Sequence, residues 1–169
     1  MSATLQRDQA AQLARSSPAK ALEKARGIED PWFRAQALAW VARFTDGDPI
    51  AIAAQAEKAA AGCDDDYKRA AVRAWEIAAL AERGCLPRAR KALGEALKLA
   101  KEIQPISSRS EALFLLMQAA FAISRDEARV IGDALKSSCP VNEHWRSKRA
   151  VRDAEKMIAG EVAPRSFFW

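Results

Sequence analysis

Residues that favour strands are scarce. Among 169 residues the only threonines are Thr4 and Thr45, and the only tyrosine is Tyr67. Alanine, leucine, lysine, arginine and glutamate are plentiful instead, which favours helix over sheet. Histidine occurs once, as His144, and the three cysteines, Cys63, Cys85 and Cys139, are widely spaced. An odd, scattered set argues against a disulfide framework and shows no metal-ligand spacing. Gly27, Gly47 and Gly84 stand alone at turns or helix ends, so there is no phosphate-cradling loop, and neither a cofactor nor a metal is expected. The longest apolar stretch, Ala112 to Ile123, is interrupted by Gln118 and is too short to span a bilayer. The start, Met1 to Ser17, lacks the apolar core of a secretory signal. A cytoplasmic protein without a membrane partner is the expectation.

What is present reads as helix throughout. Half of the residues are hydrophobic and 29% are charged, which argues against disorder and for one packed domain. Pro18, Pro31, Pro49, Pro87, Pro105 and Pro140 fall where turns are needed. Ser17-Pro18, Asp30-Pro31 and Asp48-Pro49 each pair a capping residue with a proline suited to the first helical position. Ser108 with Glu111 and Ser124 with Glu127 read as capping boxes. Between these marks apolar residues recur at three and four, as in Leu93, Ala96, Leu97, Ala100 and Ile103. The pattern predicts nine helices, over 3–15, 18–29, 31–45, 48–62, 66–83, 87–103, 108–123, 125–137 and 143–159. The short connections imply consecutive helices packed as antiparallel hairpins.

The chain also repeats. Lys20 to Leu38 aligns without a gap on Glu95 to Leu113, at an offset of 75 residues, matching Ala21, Leu22, Ala25, Ile28, Arg34, Ala37 and Leu38. That offset suggests two repeats of roughly 37 residues. Arg34, Arg69, Arg109 and Arg149 recur early in the first helix of each hairpin, and Trp40 and Trp75 share a register. Arg73 to Ile103 resembles a tetratricopeptide-type hairpin. Gly84 stands at its inter-helix turn, and Ala89, Leu93 and Ala96 take the small, large and small packing positions of its second helix. The resemblance extends to HEAT-like arrays. It implies an all-α fold over 1–160, hairpins stacked as a short right-handed superhelix, with peptide or protein binding on a concave face. One hairpin cannot bury both faces, so stacked neighbours share a continuous core.

The chemistry-bearing residues admit competing readings. A Cys139…His144 pair invites a thiol nucleophile, yet no third group orients the histidine. The bland alternative is a surface histidine at a helix start. The triplet Asp64, Asp65 and Asp66 has the oxygens a hard cation wants but the spacing of helix capping. The arginine series is more suggestive, because a cation in a helix's first turn opposes the macrodipole and needs a compensating contact. Either it forms a ladder of Arg–carboxylate or Arg–carbonyl bonds, or it makes a positive rim for an acidic peptide or phosphate. Trp32 with Phe33, Tyr67 and Trp145 lie near that rim. The tail over 161–169 ends in Phe167, Phe168 and Trp169, which a monomer would not leave bare. It either folds back onto the last helix or docks into another chain, giving self-association.

The net charge of +5 is spread among acidic residues, and the densest basic cluster is Arg83, Arg88, Arg90 and Lys91. The first reading is therefore an interaction module, with a protein or peptide partner of acidic character and with Arg34, Arg69, Arg109, Arg149, Trp32, Tyr67 and Trp145 as contacts. The second is a nucleic-acid-binding repeat using arginine and tryptophan. A third, an enzyme using Arg73 and Glu76, names no reaction and no catalytic residue set. The sequence points to binding rather than catalysis.

Overall fold

The computed structural model describes residues 1–139 and 144–169. Helix is the only regular structure among them. The segments are α1 (Ala3–Ser16), α2 (Pro18–Arg26), α3 (Pro31–Phe44), α4 (Pro49–Ala61), α5 (Asp66–Ala71), α6 (Arg73–Glu82), α7 (Leu86–Lys101), α8 (Ile106–Ala120), α9 (Arg125–Ser137) and α10 (Trp145–Ala159). Eight of the nine expected helices appear as single segments, and the one expected over 66–83 is divided into α5 and α6. Between them Val72 keeps right-handed helical angles, φ −66° and ψ −21°. The Trp75 N–H bonds the Val72 carbonyl at 3.2 Å, a three-residue step. The pair is thus one helix with a tightened turn inside it.

Caps explain most of the starts. The Asp30 carboxylate accepts from the N–H groups of Trp32 and Phe33, and Asp48 accepts from Ile50, each with proline at the first helical position. Ser124 accepts from the Glu127 N–H at 3.1 Å. Ser108 does not cap. The N–H groups of Ser108 and Arg109 both bond the Pro105 carbonyl, so α8 has already begun two residues upstream of Ser108. Ser17 precedes Pro18 as expected, without a side-chain cap bond. Gly84, at φ 76°, closes α6 with the Cys85 N–H bonded to the Leu80 carbonyl, the left-handed ending that glycine permits. The turn expected at Pro140 and the helix start expected at 143 lie outside the described residues.

The helices form two rows. In a central row α1 packs on α3, α3 on α6, α6 on α8 and α8 on α10. In a flanking row α2, α4, α7 and α9 each pack on the helices before and after them in the chain. The middle of the central row is buried almost all round, through Ala35–Ala42 in α3 and Arg73–Ala81 in α6. Flanking α7 buries one stripe, Ala89, Ala92, Leu93, Ala96 and Ala100. Alanines at the contacts let backbones approach, and Trp40, Ile77, Leu80, Leu113 and Leu116 fill the space between them. An ion pair sits inside: Arg73 Nε donates to Glu76 Oε2 at 2.8 Å, with the two residues 5% and 1% exposed. Among the described residues no helix is long and apolar enough to cross a membrane.

The tail folds back across the central row. After Gly160, in the left-handed region at φ 82°, the chain leaves the last helix and runs without regular structure. Its described contacts lie on α8, α6, α3 and α1.

Candidate functional site

The tail lies in a groove whose aromatic walls belong to two helices of the central row. Those walls are Trp75 of α6 and Trp40 and Phe44 of α3. Into it the tail inserts Phe167, edge-on to Trp75 at 5.4 Å, and Phe168, edge-on to Trp40 at 5.2 Å. Phe167 is 3% exposed and Phe168 8%. Trp169 packs edge-on to Trp40 at 4.5 Å, with the Arg7 guanidinium over its ring at 5.8 Å. Offset edge-to-face geometry suits the opposite charges of ring faces and ring edges.

Cations complete this end. Arg165 lies over the rings of both Trp75 and Phe167, at 5.2 and 5.0 Å. Arg15 and Arg43 lie over Phe44, each at 5.0 Å. Such contacts gain from the negative face of the ring. The Arg165 backbone N–H donates to Gln118 Oε1 of α8. Among the described residues the buried indole N–H of Trp40 has no hydrogen-bond acceptor.

The other end is open. Tyr67, Ser108, Glu111, Trp145, Arg146 and Arg149 line a cleft of about 450 Å³. It joins the filled end through Trp32, which stacks on Tyr67 at 6.2 Å and meets Trp75 edge-on at 5.9 Å. Burial pushes the Tyr67 phenol above its ordinary value, and Glu111 and Asp65 add to the shift. Arg146 and Arg165 oppose it. Trp145 stands 58% exposed, flanked by Arg146 and Arg149 over its ring at 5.5 and 5.3 Å.

The arginine series has a definite arrangement. Arg34 donates to the Ile28 carbonyl, Arg69 to Cys63 and Arg109 to Ile103, each six residues back. These acceptors lie in the turn before the helix, so each arginine ties a flanking helix's exit to a central helix's entry. That contact offsets the unfavourable position of a cation in the first turn. Arg149 instead donates to Glu111 of α8 at 2.8 Å, across to the neighbouring central helix. The structure thus brings Tyr67, Trp145 and Arg149 into one cleft with Trp32 behind them, and commits Arg34, Arg69 and Arg109 to turns.

The other candidates also acquire local partners. Asp65 caps α5, while Asp64 and Asp66 pair with Lys68 and Arg69. Cys139 Sγ lies 3.0 Å from Ser110 Oγ, and His144 Nδ1 accepts from the Arg146 N–H at the start of α10. Arg88, Arg90 and Lys91 pair with Glu57, Glu127 and Glu95. The walls of the filled end, Trp40, Phe44 and Trp75, escaped assignment as contacts. The register shared by Trp40 and Trp75 gave a signal for two of them, since large aromatics repeated on central helices match an aromatic tail in chemistry. No family model, curated protein or solved structure matches this chain.

Proposed function

We propose that this chain is a protein-interaction module that holds an extended peptide along the face of its central row. The observation that carries the reading is the course of Arg165–Trp169, which crosses α8, α6, α3 and α1 as an unstructured segment anchored by side chains. A groove that accepts this segment has the depth and chemistry to accept another. Docking an extended peptide by alternate anchors in pockets is an established mode of recognition. The tetratricopeptide-like hairpin pattern points the same way. The open cleft offers the continuing site, with Trp145 for stacking and Arg146 and Arg149 for an acidic group.

The test is selection of peptides from a displayed random library on the full chain carrying Phe167→Ala and Phe168→Ala, with helix content checked by circular dichroism. Selected peptides should bind at micromolar Kd, and a photoreactive phenylalanine within them should cross-link to α3, α6 or α8. Cross-links confined to the flanking row sink the reading. Salt-sensitive oligonucleotide binding in place of peptide binding would put the nucleic-acid reading ahead. The pairing of Arg88, Arg90 and Lys91 with carboxylates favours the peptide.

A further inference from the structure

Arg165–Trp169 is a worked instance of what the groove holds, and its parts differ in how they are used. Arg165 lies across Trp75 and Phe167. Phe167 packs on Trp75, and Phe168 on Trp40 and Phe44. Ser166, between them, is exposed, and its hydroxyl donates to the Phe168 carbonyl of the segment itself. The groove therefore reads a cation, skips one position and reads two adjacent aromatic rings.

The attachment rests on rings rather than on hydrogen bonds. Residues 161–166 are exposed, and among the described residues the segment's hydrogen bond to the helices is the one from Arg165 to Gln118, at 3.3 Å.

Resting on the peptide-groove reading, we propose that the partner is an extended peptide carrying a basic residue, any residue and then two aromatic residues, and that Arg165–Phe168 is a latch which this partner displaces. The tether gives the latch an advantage. A segment joined by a short flexible linker competes at an effective concentration on the order of millimolar. Its occupancy lowers the apparent affinity of an outside peptide by the fraction of grooves left free.

The experiment uses a fluorescein-labelled peptide with the sequence of Glu161 to Trp169. Its binding is followed by anisotropy to the full wild-type chain and to the full chain carrying Phe167→Ala and Phe168→Ala. The double variant should bind, and wild type should bind about tenfold more weakly or worse. The same two substitutions in the peptide, or Arg165→Glu in the peptide, should each weaken binding by about tenfold or more. Equal binding to both proteins overturns the latch. If the folded variant ignores this peptide but binds library peptides lacking the aromatic pair, the recognition pattern falls and the groove stands. If no peptide binds the folded variant, both fall. Should the double variant lose its helix content, Phe168→Ala alone replaces it under the same criteria.

Discussion

The two ends of the groove use the same materials and differ in what covers them. At the filled end Trp40 is 1% exposed beneath Phe168 and Trp169, and at the open end Trp145 is 58% exposed with Arg146 and Arg149 over its ring and the His144 ring beside it at 5.6 Å. An indole can face water when guanidinium groups share its surface, since arginine stems mask apolar area while their heads stay solvated. Where the ring sits deeper, other rings must do the covering.

Substitutions can break this comparison. Trp40→Ala should cost about 3–5 kcal/mol in urea unfolding, as for a large buried aromatic, whereas Trp145→Ala should change stability by about 0.5 kcal/mol or less. Equal costs would mean that the two ends are not different in kind. Phe167→Ala with Phe168→Ala should cost less than Trp40→Ala, about 2 kcal/mol, because the tail can detach while the helices stay folded. The same variant should red-shift tryptophan emission as Trp75 and Trp40 meet water, and an unchanged spectrum would place the tail elsewhere.

The arginines extend the contrast to single bonds. Arg109→Ala removes a charged donor from a turn carbonyl and should cost about 1.5–2 kcal/mol in thermal unfolding. Arg149→Ala removes a half-exposed pair with Glu111 and should cost below about 1 kcal/mol. The smallest effect concerns Tyr67, the chain's one tyrosine, which makes ultraviolet titration of the phenol unambiguous. Burial and Glu111 both disfavour the phenolate, so it should form above the ordinary tyrosine range. Glu111→Gln removes a negative neighbour and should bring the transition back down. An unmoved transition would separate Glu111 from the phenol.

Helix positions were legible because their causes are local. Asp30, Asp48 and Ser124 cap within three residues, and a proline at the first helical position needs no distant partner. The turn at Val72 was not legible, since it interrupts an otherwise uniform helical pattern. Ser108 misled because Pro105 starts the helix first. At the site, the register of the four arginines was visible, but three bond to backbone carbonyls, and any residue supplies a carbonyl. The tail's aromatic content announced that it must be covered. Its destination depends on rings far away in the sequence, and no local pattern encodes that distance.

The tail's path also bears on how the molecule comes apart. In a row where each helix meets mainly its neighbours, the two outermost helices have support on one side only, and melting can begin there and spread inward. Here a strap fixed beyond α10 reaches across to rings on α3 and to Arg7 on α1. It links the first part of the row to the last, so loosening one terminus strains the other. While the strap is seated, a row that would otherwise fray should lose its structure in a single step.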